Sequence, residues 1–204
     1  MTRSSLLANR RRFLAFLAGS PLLLGQDPDI LNSPQDALNV LDFEAVARKV
    51  LPPAHYGYIA TGGDDVLTLR ATREGYSRLY LRPLVLVEIS LADLSITLFG
   101  TRWETPIGLA PIGNQMAFHS EGELPVARAA KAKNTLQILS TACNHPIEKV
   151  RDTLGRPPWY QLYPTNRWEV TEKLVRRVEA SGCPVLVLTV DTQAGRRTET
   201  FERY

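Results

Sequence analysis

Short apolar runs alternate with amphipathic segments along the second half of the chain. Apolar strands are predicted at Ile107 to Pro111, Leu136 to Ser140, Trp159 to Tyr163 and Val185 to Val190. Segments with one apolar face and one polar face lie between them, and they predict helices at Glu121 to Lys133, Pro146 to Leu154 and Arg167 to Ala180. This alternation is typical of parallel β/α units, and we count about four of them.

The first part of the chain has a helical pattern instead. Apolar residues recur at helical spacing within Asp42 to Val50, and Pro52-Pro53 end this helix. A second short helix follows. A third is predicted over Val66 to Leu79, with Asp64 and Asp65 as its N-cap and acidic first turn.

A β-hairpin is predicted between the helical part and the β/α units. Its strands are Leu94 to Leu98 and Arg102 to Glu104, and its turn is Phe99-Gly100-Thr101. The chain is therefore divided into an N-terminal arm (1–30), a helical cap segment (31–93) and a hairpin followed by β/α units (94–204).

The N-terminal arm has the pattern of a targeting signal. Arg10-Arg11-Arg12 precede an apolar run from Phe13 to Leu24, which is too short to span a bilayer. The pattern resembles a bacterial twin-arginine signal, whose exporter accepts folded, cofactor-loaded proteins, and it predicts a periplasmic location. The alternative is an uncleaved arm on a cytoplasmic protein, because no A-x-A cleavage site is evident before Gln26.

Composition and charge change this picture little. The chain is 44% hydrophobic and 22% charged, with a net charge of +3. Four arginines lie in its first twelve residues and no basic stripe follows, so no nucleic acid partner is predicted. Cys143 and Cys183 lack metal-ligand spacing, and two cysteines make no disulfide framework, so no metal site is predicted either.

Two architectures could hold four parallel units. A doubly wound sheet normally carries a glycine-rich phosphate turn after its first strand, whereas here Ala110 to Asn114 read A-P-I-G-N. An eight-stranded barrel needs about 250 residues, so four units make half of one. We therefore predict an α/β fold, the N-terminal half of a (β/α)8 TIM barrel, preceded by a small helical cap and a hairpin.

Several short motifs follow one another along most of the chain, in an order that is shared by one family of enzymes. They are Tyr58 to Gly62 with Asp64-Asp65, Leu81-Arg82-Pro83, Pro106 to Pro111, His119 with Glu121-Gly122-Glu123, Leu139 to Thr141, Gln161 to Tyr163, and Leu188 to Thr192 followed by Gly195-Arg196-Arg197. From about Asp42 to Tyr204 the chain resembles the N-terminal half of the FMN-dependent 2-hydroxy-acid oxidases and dehydrogenases, such as glycolate oxidase, lactate oxidase and lactate dehydrogenase.

The resemblance implies FMN as the cofactor. Ligands of such barrels lie over the carboxyl ends of the strands. The resemblance implies that the backbone of Pro111, Ile112 and Gly113 lies along the flavin ring. Ser140, Gln161 and Thr189 would then hydrogen-bond its polar edge. Gln161 is flanked by apolar and aromatic residues, and a buried amide needs partners that a flavin edge can supply.

The resemblance also implies a binding site for a small 2-hydroxy acid. Tyr58, Tyr163 and Arg197 would surround it, because a guanidinium fork matches a carboxylate. Arg196 is the alternative, since the loop after Asp191 is one residue shorter than in glycolate oxidase.

Three positions depart from the family pattern. Ile112 replaces a common threonine, Gly113 a common alanine, and Ala142 stands where glycolate oxidase has a tryptophan. We expect the changes at 113 and 142 to enlarge the space beside the flavin and to admit a bulkier acid.

The implied reaction is oxidation of the acid to a 2-oxo acid, with hydride passing to the flavin. The family's base histidine is expected beyond Tyr204, so no catalytic residue is assigned here and the truncated chain alone is expected to be inactive. His119 is interpreted as structural, with Ser120 capping a helix at Glu121. Oxygen or a quinone is expected as electron acceptor, and the full-length form is expected to be a homo-oligomer.

Two alternatives stay open. One is a non-catalytic remnant or half-barrel module. The other is a different FMN barrel, such as a type 2 isopentenyl diphosphate isomerase, although Tyr58, Tyr163 and a single arginine suit a diphosphate poorly.

Overall fold

The computed structural model describes residue 31, residues 33–63 and residues 65–191. The predicted export signal, Asp64, Arg196 and Arg197 lie outside these residues. The chain divides into two compact units between Tyr56 and Gly57, and each is described by itself.

The described part of the first unit consists of short helical segments. Two 3₁₀ turns, Pro34–Asp36 and Val40–Asp42, are each closed by a capping box, from Ser33 and Asn39 respectively. Helix α1 is Phe43–Val50 and agrees with the predicted helix. It ends because Leu51, which precedes Pro52, is extended.

Two further helices follow, α2 at Pro53–Ala60 and α3 at Leu67–Tyr76. The predicted acidic N-cap of α3 is wrong. Val66 occupies the N-cap with a φ of 63° and no side-chain cap, while the Asp65 carboxylate accepts a 3.4 Å hydrogen bond from the Leu67 N–H.

The hairpin is present but shorter than predicted. Strands β1 (Ile96–Leu98) and β2 (Thr101–Trp103) pair antiparallel, with Leu98 opposite Thr101. Phe99 and Gly100 have φ values of 47° and 79°. Positive φ at both central residues is the requirement of a type I′ turn, which matches the twist of the strands.

Four parallel strands follow, which confirms the predicted α/β architecture. They are β3 (Gly108–Leu109), β4 (Leu136–Ser140), β5 (Trp159–Leu162) and β6 (Leu186–Leu188), and they are neighbours in sequence order. Ser140 is paired with Gln161, and Leu162 with Leu188. The carboxyl ends of the strands therefore meet at one edge of the sheet.

Three helices connect these strands: α4 (Leu124–Ala132), α5 (Ile147–Leu154) and α6 (Trp168–Ala180). The predicted start of α4 at Glu121 with a Ser120 cap is wrong. Gly122, with a φ of 54°, keeps the chain out of the helix, and the Glu121 N–H donates to His119 Nδ1 at 3.2 Å. None of the helices in the described ranges is both long enough and apolar enough to cross a membrane.

The central strands β4 and β5 are buried on both faces, whereas β3 and β6 are more exposed. The helix-facing cluster contains Ala127, Ala130, Leu139, Ile147, Val150, Leu154, Tyr160, Leu162 and Val178. The opposite cluster contains Trp103, Leu136 and Trp159, so the hairpin covers the amino end of β4 and β5. The Arg156 guanidinium lies 4.1 Å from the Trp103 ring centre, a cation–π contact that adds to this cover.

Candidate functional site

Three polar side chains form a hydrogen-bonded line across the carboxyl ends of β4, β5 and β6. Ser140 Oγ donates to Gln161 Oε1 at 3.0 Å, and Gln161 Nε2 donates to Thr189 Oγ1 at 2.7 Å. Ser140 and Gln161 are 3% and 2% exposed. The structure therefore joins the three residues predicted for the polar edge of the flavin into one network, here called the strand-end line.

The strand-end line lies on the sheet face opposite the helices. Side chains alternate between faces along a strand, and Leu139 and Tyr160 pack in the helix-facing cluster. Ser140 and Gln161 are their immediate neighbours, so both share the other face with Leu136 and Trp159. This face corresponds to the interior of a barrel.

The loop after β3 lies close to the loop after β4. The Asn114 N–H donates to the Ala142 carbonyl at 2.9 Å. A Cβ placed on Gly113 would lie 2.8 Å from the Ala142 Cβ, closer than real Cβ contacts. The expected extra space at Gly113 is therefore filled by Ala142, and the glycine instead permits the loop after β3 to approach Ala142 closely.

Thr141 fixes the backbone beside Gln161, a role that was not predicted from the sequence. Its Oγ1 donates to the Gln161 carbonyl at 2.6 Å and accepts from the Tyr163 N–H at 2.9 Å. Tyr163 follows β5 and is 38% exposed. A threonine directly after a buried strand could have indicated this role. Its hydroxyl can hydrogen-bond backbone groups that have no partner where the strand pairing ends.

Tyr58 reaches the same loops through an aromatic contact. It lies on α2, and its ring stacks with Phe118 at a centroid distance of 6.3 Å. Phe118 follows the 3₁₀ turn Gln115–Ala117, which continues the loop after β3. The structure thus associates Tyr58 with this loop and Tyr163 with the end of β5, whereas Arg197 is outside the described residues.

A buried carboxylate connects the loops from the helix side. Glu123, which precedes α4, is fully buried, and it accepts hydrogen bonds from the backbone N–H groups of Asn144 and His145 at 2.9 and 3.2 Å. In the sequence, Glu123 was recognisable only as part of the motif Glu121-Gly122-Glu123. An acidic residue directly after a glycine and before an apolar helix was the signal that could have identified it.

The cysteines are free thiols that resist ionisation. Burial, with a smaller effect of the Glu123 carboxylate, raises the pKa of Cys143 to about 11, and burial raises the pKa of Cys183. Cys143 lines a cavity of about 300 Å³ with Tyr160 and Arg177, on the helix side of the sheet. In the described part of the chain no cluster of His, Cys, Asp or Glu could hold a metal ion.

Residues 47–204 match the protein family described as FMN-dependent dehydrogenase. The chain belongs to this family. This match confirms FMN as the cofactor of the family, and the relatives described next confirm the predicted resemblance to 2-hydroxy-acid oxidases.

This family member resembles plant oxidases over a limited part of their length. It is 39% identical over 160 residues to glycolate oxidase 1 of Oryza sativa subsp. indica, covering 78% of this chain and 43% of that protein. It is 42% identical over 161 residues to the peroxisomal (S)-2-hydroxy-acid oxidase GLO4 of the same plant, covering 78% and 44%. The chain therefore spans less than half of these relatives.

Solved structures show the same partial match. A crystal structure of mandelate oxidase superposes with a TM-score of 0.77 at 34% identity, over 82% of this chain and 48% of that one. A mandelate oxidase variant with an FMN adduct gives a TM-score of 0.75 at 34% identity, over 79% and 49%. The fold is accordingly that of about half of a TIM barrel.

The strand-end line of this family member suits a flavin edge for a reason different from the one expected. Gln161 already has protein partners, because Oε1 accepts from Ser140 and from the Thr141 N–H at 3.4 Å. Among the described residues, one of the two Nε2 protons of Gln161 and the Thr189 hydroxyl proton have no acceptor. Two remaining donors on one strand-end line fit the carbonyl groups of a flavin ring.

Proposed function

We propose that this chain forms the ring-binding side of the FMN site in an oxidoreductase that converts a 2-hydroxy acid into a 2-oxo acid. The observation that supports it most is the strand-end line of Ser140, Gln161 and Thr189, with two donors left over. A ligand site at the carboxyl edge of parallel strands is the rule for this architecture.

Each predicted cofactor residue has a distinct task in this proposal. The backbone of Pro111, Ile112 and Gly113 lies along the ring, since Gly113 adds no side chain where the loops approach. Gln161 donates one N–H to a ring carbonyl, and its other contacts hold the amide in a single orientation. FMN, when bound, supplies the acceptor for the hydride from C2 of the acid.

The substrate is proposed to be a small 2-hydroxy acid held by Tyr58, Tyr163 and Arg197. The tyrosine hydroxyls would orient the substrate oxygens, and the guanidinium would bind the carboxylate in a fork. The relatives named glycolate oxidase and (S)-2-hydroxy-acid oxidase support this substrate class. Ala142 is exposed and much smaller than the tryptophan of glycolate oxidase, so the proposed room for an acid bulkier than glycolate lies at position 142 and not at Gly113. Equal turnover of glycolate and a long-chain 2-hydroxy acid by the full-length protein would argue against it.

The group that takes the hydroxyl proton is proposed to lie outside this chain, so the 204 residues alone would not catalyse oxidation of the acid. In support, His119 Nδ1 accepts from the Glu121 N–H, and His145 Nε2 lies 3.1 Å from the Glu121 carbonyl. Both rings serve the turn before α4. Reduction of bound flavin by a 2-hydroxy acid in the purified chain would refute this part.

Other features of the whole protein are also proposals. Export through the twin-arginine route rests on Arg10 to Arg12 and the apolar run behind them. A reporter fused to residues 1–30 should reach the periplasm, and should fail to do so when these arginines become lysines. Oxygen or a quinone is proposed as acceptor, and a homo-oligomer as the full-length form. Oxygen uptake with and without added quinone, and light scattering, test these two proposals.

A titration of the purified chain with FMN tests the cofactor site. The visible absorbance of FMN is followed for the wild type, Gln161→Leu and Gln137→Leu. Gln137 is the matched control, because it is also a buried glutamine of the sheet but lies on the helix-facing side of β4, opposite to the side of Ser140. Each net hydrogen bond is worth about 1 kcal/mol, so loss of the bond to flavin and of the orienting contacts should weaken FMN binding about tenfold or more.

The outcomes separate the two functions that remain. Weaker binding by Gln161→Leu and unchanged binding by Gln137→Leu support the proposed site. Equal affinities of the wild type and Gln161→Leu contradict the role of the strand-end line. No spectral change with the wild type would favour the non-catalytic half-barrel module.

A further inference from the structure

Glu123 is a fully buried carboxylate that no part of the proposed chemistry uses. It lies at the N-cap position of α4 but makes no cap hydrogen bond to its own helix. Both of its oxygens instead accept from the next loop, Oε1 from the Asn144 N–H at 2.9 Å and Oε2 from the His145 N–H at 3.2 Å. A buried charge is costly unless it is hydrogen-bonded, and here each carboxylate oxygen of Glu123 has a hydrogen-bond donor.

The backbone surroundings make the charge tolerable at this position. The helix N-terminus of α4 favours a negative charge next to it. The two donating N–H groups lie just ahead of α5, which begins at Ile147. Charge-assisted hydrogen bonds of this kind are about twice as strong as neutral ones.

The contacts continue from Glu123 to the loop after β3. The Asn144 side-chain oxygen accepts from the Met116 N–H at 2.9 Å. A Cβ on Gly122 would lie 3.2 Å from Met116 Cγ and 3.5 Å from His145 Cδ2, so the turn before α4 is closely packed by both loops. One carboxylate thus holds the loop after β4, and that loop holds the loop after β3.

We propose that Glu123 is a positioning residue that fixes the flavin-facing loop Ile112 to Met116 through Asn144. The proposal rests on the proposed function only for the identity of the ligand. The relay itself consists of hydrogen bonds between loops and lies outside the helix-facing core. Its loss should therefore loosen these loops without loosening the sheet.

Amide hydrogen exchange of the FMN-free chain tests the relay. In Glu123→Gln the carboxamide keeps one acceptor oxygen and turns an NH₂ group toward the other N–H, so one of the two bonds is lost. We expect exchange of the Asn144 or His145 amide, and of the Met116 amide, to accelerate about tenfold or more, the factor for about 1.4 kcal/mol. The Tyr160 amide, which donates to the Val185 carbonyl in the sheet, should be unchanged.

Two other variants complete the test. Glu148→Gln is the matched control. Glu148 lies in the first turn of α5, and its solvent-accessible carboxylate pairs with Arg177 of α6. It should leave all of these amides unchanged. Asn144→Ala removes only the side-chain acceptor in an exposed loop, so it should accelerate Met116 while Glu123 still protects the Asn144 and His145 amides.

FMN affinity is the functional readout. Glu123→Gln and Asn144→Ala should both weaken FMN binding, and Glu148→Gln should not. Acceleration of Tyr160 as much as Met116 would reduce Glu123 to a general structural role and overturn the proposal, as would an unchanged Met116 amide. If the wild type binds no FMN, the proposed function fails, whereas the exchange rates still decide whether Glu123 holds the loops.

Discussion

Substitution of Gly113 by alanine tests the close approach of the two loops at the candidate site. The new Cβ would lie 2.8 Å from the Ala142 Cβ, whereas ordinary contact begins at 3.4 Å, so the loops must move apart. Their separation also stretches the 2.9 Å hydrogen bond from Asn114 to the Ala142 carbonyl. Overpacking of this kind costs about 1–3 kcal/mol and a hydrogen bond about 1 kcal/mol. Alanine also lowers the conformational entropy of the unfolded chain, which offsets about 0.4–1 kcal/mol of this loss of stability.

The expected net loss for Gly113→Ala is therefore about 1–3 kcal/mol in the free energy of unfolding. Urea denaturation followed by circular dichroism measures it, as a lower midpoint at an unchanged slope. The double variant Gly113→Ala/Ala142→Gly moves the methyl group from one loop to the other. It should recover about 1 kcal/mol or more of the loss, beyond the sum of the single effects. Additive effects, or no loss in the single variant, would refute the reasoning.

Two further predictions concern the core and a buried thiol. Leu139→Ala, at a side chain 1% exposed in the helix-facing cluster, should lower the free energy of unfolding by about 2–5 kcal/mol in the same urea assay; a loss below about 1 kcal/mol would mean that the core collapses around the gap. Cys143 has a folded pKa of about 11, above its reference value of 9.0, so burial of this thiol stabilises the fold below pH 9 and the contribution is lost as pH rises through 11. Alkylation of Cys143 by iodoacetamide, read by mass spectrometry, should be slow at pH 8 in the folded chain and fast in urea, and a rate midpoint at or below pH 9 in the folded chain would contradict the shift.

The architecture could be predicted from the sequence because its signal is periodic. Four apolar runs at near-regular intervals, separated by amphipathic segments, define parallel β/α units without knowledge of any contact. The ends of the elements could not be predicted as well. Gly122 delays the start of α4, and Val66 in a left-handed conformation displaces the acidic cap of α3, and both depend on the surroundings of the turn.

The site could be predicted only as separate residues. Ser140, Gln161 and Thr189 were predicted through the family resemblance, and only Gln161 was also notable by itself, as an amide flanked by apolar and aromatic residues. The register of the sheet brings the three into contact. Their mutual hydrogen bonds depend on that register. The roles of Thr141 and Glu123 were not predicted because both side chains hydrogen-bond backbone groups. A sequence does not show which backbone groups lack partners.

The covered amino end of the sheet can be followed by the intrinsic fluorescence of its tryptophans. Of its three tryptophans, Trp103 and Trp159 are 4% and 7% exposed in one cluster, whereas Trp168 is 71% exposed at the start of α6. Two emitters are thus shielded from water and one is not. Detachment of the hairpin would shift intrinsic fluorescence to the red while α6 remained folded, so the emission maximum follows one end of the sheet, the end remote from the proposed flavin.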